Sequence, residues 1–339
     1  MNLITGATGL LGAHVAFMLL QQGKPVVAMK RRSSDIQKTR KLFSYYTPEA
    51  DRLFEQIQWV EGDVCDIYTV LEALENIDTV YHCAGYISFT SKDREQLHKI
   101  NAEGTANVVN ACLEKNIRHL IHVSSIATLQ NPDIKTNINE SVYWKSSPDA
   151  ADYAISKYNG EREVWRGIEE GLQATIVNPG VIIGPGFWKQ GSGQLITELS
   201  KGLPVYTSGS TAYIDARNVA EIMLKLAEQQ QFGQRFILIE GNYTFKDIFS
   251  SISKALGKRE PSIQAGYGLL WVGRILDKLK SGITGSARVV TRETIHACMD
   301  VNTYDNSKIT KLLNYRFIPT QESLAFSCAC FLRDTATES

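Results

Sequence analysis

Residues 1–15 read Met1-Asn2-Leu3-Ile4-Thr5-Gly6-Ala7-Thr8-Gly9-Leu10-Leu11-Gly12-Ala13-His14-Val15, and this stretch decides the fold. A short apolar run at 2–5 leads directly into three glycines, each three residues from the next. A helical pattern over 10–22 follows at once. At Gly6 the chain must turn sharply. Near Gly9 the backbone must come close to a pyrophosphate, and at Gly12 the helix must pack tightly on the strand. The pyrophosphate then meets free N–H groups at the positive end of the helix dipole. An ordinary strand-to-helix turn with chance glycines is the competing reading, but a strand before and a helix after are the context this motif requires. Gly6, Thr8, Gly9, Leu10, Leu11 and Gly12 are therefore the first candidate cofactor contacts.

Further apolar runs at 25–29, 58–61, 79–82, 119–123 and 174–178 read as strands, with helical periods between them, among them 94–115. Strands alternating with helices imply a parallel sheet covered on both faces, and right-handed crossovers make it doubly wound. The expected fold class is α/β, a Rossmann doubly wound parallel sheet over residues 1–180. Residues 181–339 are expected to form a smaller, mostly helical substrate-binding region, with segments that return to the main sheet.

Thirty-six basic residues balance 36 acidic ones, which leaves no electrostatic footprint for nucleic acid or an anionic membrane. Cys65, Cys83, Cys112, Cys298, Cys328 and Cys330 form no C-x-x-C pair and read as reduced thiols of a cytoplasmic protein. The histidines show no ligand spacing, and His119 and His122 should face opposite sides of one strand, so no metal site is expected. The N-terminus lacks the basic segment of a signal peptide. No apolar run reaches the ~18 residues of a membrane span, and residues 266–279 read as an amphipathic helix packed on the protein.

Tyr153-Ala154-Ile155-Ser156-Lys157 puts a phenol and an ammonium at i and i+4 on one helix face. A free phenol titrates near ~10, and a neighbouring ammonium should lower that, making the pair a workable acid/base for a carbonyl/alcohol couple. Upstream, the strand His119-Leu120-Ile121-His122-Val123 ends in Ser124-Ser125. Strand ends are where ligands gather in such sheets.

Together, the glycine spacing, Asp63-Val64, His82-Cys83-Ala84-Gly85, Asn101-Ala102-Glu103-Gly104-Thr105-Ala106-Asn107, the two serines, Y-x-x-x-K and Asn178-Pro179-Gly180-Val181 resemble the extended short-chain dehydrogenase/reductase family. The resemblance covers essentially the whole chain, including Tyr213–Ala220 and Asp305-Asn306-Ser307-Lys308. It implies that Asp63 and Val64 contact the adenine; taken alone, Asp63 reads as a turn residue. It implies that Ala84 and Gly85 line the cofactor, and that Asn178, Pro179 and Val181 border the nicotinamide. Ser125, followed by Ile126-Ala127-Thr128, maps to the serine that polarises the substrate carbonyl, with Ser124 as the alternative. Tyr153 would be the proton donor and Lys157 would orient the cofactor ribose. Asn101 would support the lysine through water, against a solvent-facing helix asparagine as the plainer reading. A homodimer through helices near 102–115 and 151–171 is also implied.

The second strand ends Lys30-Arg31-Arg32-Ser33-Ser34 with no acidic residue to hold a ribose 2′-OH. Guanidinium geometry suits a 2′-phosphate, so NADP is the expected cofactor, with NAD possible, held by Arg31 with help from Lys38. A solvated basic turn is the alternative. The expected function is reduction of a small-molecule aldehyde or ketone, or oxidation of the matching alcohol, as in the dihydroflavonol-reductase or hydroxysteroid-dehydrogenase branches. Tyr86, Ile87, Phe89, Trp144 and Trp188 would crowd an apolar pocket. A nucleotide-sugar epimerase or dehydratase is the second reading, although Ser210–Tyr213 lacks the R-D pair such enzymes tend to carry. A non-catalytic dinucleotide sensor is the third.

Overall fold

The computed structural model describes residues 1–145, 147, 150–268, 295 and 298–337. The proposed amphipathic helix at 266–279 lies outside the described residues from 269 onward. The chain opens with β1 (Asn2–Thr5), α1 (Leu10–Gln21), β2 (Val26–Lys30), α2 (Gln37–Phe43), α3 (Ala50–Glu55), β3 (Ile57–Glu61), α4 (Ile67–Ala73) and β4 (Thr79–His82). It continues with α5 (Arg94–His98), α6 (Gly104–Glu114), β5 (His119–Val123), α7 (Asp152–Glu169) and β6 (Ala174–Pro179).

After β6 come β7 (Val181–Ile183), α8 (Gly191–Ser200), β8 (Val205–Tyr206), β9 (Ser210–Asp215), α9 (Ala216–Glu228) and β10 (Gln234–Leu238). Then follow β11 (Gly241–Thr244), α10 (Phe245–Ala255), β12 (Ile263–Gln264), α11 (Ser307–Leu313) and α12 (Thr320–Thr337).

Seven strands form one sheet in the order β10-β6-β5-β4-β1-β2-β3. Every pairing in it is parallel. Its two sides are separate cores, as strand alternation requires. Ile4, Ala28, Ile121 and Val177 face α1 and α9, while Leu3, Val27, Leu120 and Ile176 face α4, α6 and α7. The strand order reverses between β1 and β4, the crevice where such sheets bind ligands beyond their carboxyl ends.

β10, from the second half of the chain, is the outer strand beside β6. Pro179 closes the β6 ladder, and the chain then crosses to a second sheet, β11-β9-β7. A third core of α8, α10 and α12 packs against that sheet.

One element departs from its expected form. Residues 94–115, read as one helix, are α5 and α6 joined by a π turn over Lys99–Glu103. A π turn widens a helix by one residue and is commonly found at functional sites. Here it sits against α7: a Cβ on Gly160 would lie 2.1 Å from the Asn101 carbonyl oxygen. Periodicity cannot show this, because the packing partner lies on another helix.

Candidate active site

The phosphate loop is built from close approaches. Gly6 has φ +70°, and a Cβ on Gly12 would stand 2.3 Å from the Gly6 carbonyl oxygen. The Gly9 N–H donates to Gly6 O at 2.9 Å, closing the turn. No side chain caps α1 at Gly9, and no acidic residue lies in its first turn. The first N–H groups are thus open to an anion, as a pyrophosphate requires. Thr8 and Leu10 are partly exposed at this end, while the Leu11 side chain is in the core.

Tyr153 and Lys157 share one face of α7 at the carboxyl end of β5. Lys157 is 5% exposed, and its Nζ donates to the Val123 carbonyl at 2.7 Å. Burial lowers this ammonium to about 8, a fall that the Glu161 charge partly opposes. For Tyr153, burial pushes the phenol above its ordinary value, and a hydrogen bond with the Ser125 hydroxyl opposes that rise. This corrects the expectation that Lys157 lowers the phenol. In this state the group acting against the desolvation is Ser125, and the ammonium is turned to a backbone carbonyl.

The two serines have different surroundings. Ser125 caps the short helical turn after β5, accepting from Ala127 N at 3.1 Å, and meets Tyr153. Ser124 is buried, and its Oγ donates to Glu161 Oε2 at 2.6 Å. Glu161 also accepts from Thr128 Oγ1 at 2.7 Å, Asn178 Nδ2 at 2.8 Å and Arg235 at 3.0 Å. Asn178 is fully buried in this network, and its neighbour Pro179 is buried at the strand end. Val181 is partly exposed on β7.

Asn101 is buried, and its side chain is committed to other partners than Lys157. It exchanges hydrogen bonds with the Tyr86 backbone, accepting at 2.8 Å and donating at 2.9 Å, and donates to Ser156 Oγ at 2.9 Å. It therefore braces the loop after β4, where Ala84 is partly exposed and Gly85 exposed. A Cβ on Gly85 would lie 3.4 Å from Asn101 Oδ1 and 4.0 Å from Lys157 Nζ, so that loop runs along the lysine.

At the far end of the crevice, Asp63 caps a turn by accepting from Cys65 N at 3.0 Å, and Val64 is buried beside it. Arg31 and Lys38 are exposed. The Arg31 N–H donates to Ser34 Oγ at 3.1 Å and Ser34 N to Arg31 O at 2.9 Å, which fixes the turn after β2. Asp35 caps the approach to α2 by accepting from Gln37 N at 3.0 Å.

Of the aromatic residues expected at the pocket, Phe89 is the one against the Tyr153 phenol, with ring centroids 5.8 Å apart. It is 45% exposed and its neighbour Ile87 59% exposed. Trp144 stacks on Tyr158 instead. Trp188 donates to Asp334 at 2.9 Å and packs edge-on against Phe331, so it anchors α12. Sequence reasoning missed Ser156, Gly160 and Glu161. The signal for Glu161 was its i+8 position from Tyr153, one more turn along the same stripe. Among the described residues no cluster of three or more His, Cys, Asp or Glu could hold a metal ion, and no helix is long and apolar enough to cross a membrane.

A model of the NAD dependent epimerase/dehydratase family matches residues 2–238. Sterol demethylase protein B of Methylococcus capsulatus is 27% identical over 267 residues, covering 77% of this chain and 76% of that protein. A putative dihydroflavonol 4-reductase of Synechocystis is 28% identical over 264 residues, covering 76% of this chain and 73% of that protein. The crystal structure of gox2253 is similar with a TM-score of 0.79 at 27% identity, covering 98% of both chains.

Proposed function

The chain belongs to the NAD dependent epimerase/dehydratase family, and from that premise we propose that this enzyme reduces an uncharged, partly apolar aldehyde or ketone with NADPH, or oxidises the matching alcohol. The observation that carries the reading is the placement of Tyr153 on α7 one helical turn from the buried Lys157, whose Nζ donates at 2.7 Å to Val123 O, two residues before Ser125 at the end of β5. Exposed Phe89 and Ile87 beside that phenol favour an apolar substrate. Two relatives carry names that refer to a sterol and a dihydroflavonol, both uncharged ring compounds.

The residues present fit a dinucleotide. The uncapped start of α1, with Gly6, Thr8, Gly9, Leu10, Leu11 and Gly12, would hold the pyrophosphate. Asp63, Val64, Ala84, Gly85, Pro179 and Val181 would line its length, and Arg31 with Lys38 would take a 2′-phosphate. When bound, the nicotinamide supplies or accepts the hydride. Ser125 donates a hydrogen bond to the carbonyl oxygen. Tyr153 passes its proton to that oxygen as charge builds there. Lys157 would offer its ammonium to the ribose hydroxyls. Asn101 and Asn178 act further back, bracing the loop after β4 and the end of β6.

A homodimer through α6 and α7 is part of the proposal, and sedimentation at micromolar concentration tests it. A cytoplasmic setting suits six free cysteines. The test of function is a screen of carbonyl compounds with NADPH absorbance as readout. Oxidation of one cofactor per product supports the reading. Conversion of a nucleotide sugar with no net cofactor consumption would replace it with the epimerase reading.

A further inference from the structure

We infer that Glu161 is a positioning residue of this site: its carboxylate, one turn beyond Lys157 on α7, fixes the Ser125 backbone and supplies the negative charge that the lysine faces. The inference rests on the reading of Ser125, Tyr153 and Lys157 as the reacting set.

Geometry carries it. Positions 153, 157 and 161 form one stripe on α7, each a turn apart. Glu161 is 2% exposed, and a buried carboxylate is costly unless its oxygens are fully engaged. Here Oε2 lies 2.6 Å from Ser124 Oγ, 2.7 Å from Thr128 Oγ1 and 2.8 Å from Asn178 Nδ2. Oε1 accepts from Arg235 at 3.0 Å and from Trp165 Nε1 at 3.3 Å. Asn178 Nδ2 also donates, with its second proton, to the Ser125 carbonyl at 3.2 Å, and Thr128 Oγ1 lies 2.9 Å from that carbonyl. Ser124, bonded directly, is the adjacent residue. Three bonds from one carboxylate therefore fix the strand end from which Ser125 meets Tyr153.

The same carboxylate is the nearby charge for Lys157. The groups facing that ammonium are Glu161 on α7, Cys83 after β4, and His82 and His122 on β4 and β5, with Tyr153 one turn back along α7. Burial drives His82 down to about 3 and His122 well below its ordinary value, and pushes the Cys83 thiol up to about 12. All three are neutral near pH 7. Among the described residues, Glu161 is left as the charge favouring the ammonium, with Arg235 of β10 on its far side.

The test is Glu161→Gln, which keeps the shape, removes the charge and turns a donor toward donors. Expected are a fall in kcat of roughly ten-fold or more, NADPH affinity by fluorescence within about three-fold, and an alkaline limb of the rate profile lower by roughly one pH unit. Carbon-13 NMR of the lysine ε-carbons in the cofactor-free chain should show the same downward move of the Lys157 titration. Glu161→Asp should restore that titration. If Glu161→Gln folds and the Lys157 titration does not move, the inference is overturned, because a merely structural glutamate would leave it in place. If Glu161→Gln does not fold, Ser124→Ala decides: lowered kcat with an unmoved limb supports the inference, and unchanged kcat overturns it. Tyr153→Phe run alongside separates the two layers. Its continued turnover would sink the reaction reading itself, whereas an inactive Tyr153→Phe beside an indifferent Glu161→Gln sinks only the role of Glu161.

Discussion

Lys157 should make the cofactor-free enzyme less stable at neutral pH than a variant without it. The ammonium is 5% exposed, and burial lowers it from 10.5 to about 8. That drop, at about 1.4 kcal/mol for each tenfold change in proton affinity, amounts to about 3.5 kcal/mol of destabilisation while both folded and unfolded states are charged. The sign follows from proton counts. Between about pH 8 and 10.5 the unfolded chain holds the proton and the folded chain does not, so stability rises with pH across that window. Below it the full penalty applies. Lys157→Met removes the penalty but leaves the Val123 carbonyl without its 2.7 Å partner, a loss of about 1–3 kcal/mol at every pH.

The pH-independent part cancels when the two proteins are compared across pH. Urea unfolding of both should give a stability difference that moves by about 2 kcal/mol in favour of the wild type between about pH 7 and pH 9.5. Cys83, which feels the Lys157 charge, is pushed up to about 12, and burial raises Tyr153 above its ordinary value, so both titrate above this range and drop out of the difference. A difference that stays constant over that range would refute the claim that the lysine is buried and charged.

In the same way, turnover should fall as pH rises through about 8, where Lys157 loses its proton; a flat profile to pH 9.5 would contradict it. Arg31→Ala should weaken NADPH binding by roughly 10- to 150-fold and leave NADH nearly unchanged, as read by fluorescence titration; equal binding of both cofactors by the unmutated enzyme would overturn the 2′-phosphate assignment. Gly160→Ala puts a methyl group 2.1 Å from the Asn101 carbonyl, so α7 or the π turn must shift at a cost of about 1–3 kcal/mol; thermal melting and kcat should fall together, and an unchanged melt would deny the contact.

The sheet was largely legible because parallel strands buried on both faces leave unbroken apolar runs, and the observed strand bounds match the expected ones to within a residue. β10 was harder to see: residues 234–238 pair with β6 from 59 residues away in sequence, Gln234 beside Thr175 being an example. The glycine loop could be read because its steric demands are local, as the Gly6–Gly12 contact shows. The surroundings of Ser125, Tyr153 and Lys157 were not local. What separates Ser125 from Ser124 is the Glu161 carboxylate on another element, and that carboxylate is balanced by Arg235, 74 residues along the chain. Likewise the break at Lys99–Glu103 answers to Gly160, and Trp188 serves Asp334 of α12. Motif spacing shows which residues can share a face, but not what burial does to their protons, which is why the Tyr153 phenol moves opposite to expectation.

Under the proposed function Tyr153, set by Ser125 and Lys157, gives a proton to a carbonyl oxygen during net reduction. The direct measurement is the rate of NADPH oxidation with a carbonyl substrate found by screening, for the wild type and for Tyr153→Phe, with NADPH affinity measured on both. Matched affinities are expected, with a loss of turnover of roughly 10²- to 10⁴-fold in the variant. Turnover within a few-fold of the wild type, at matched cofactor affinity, would contradict it.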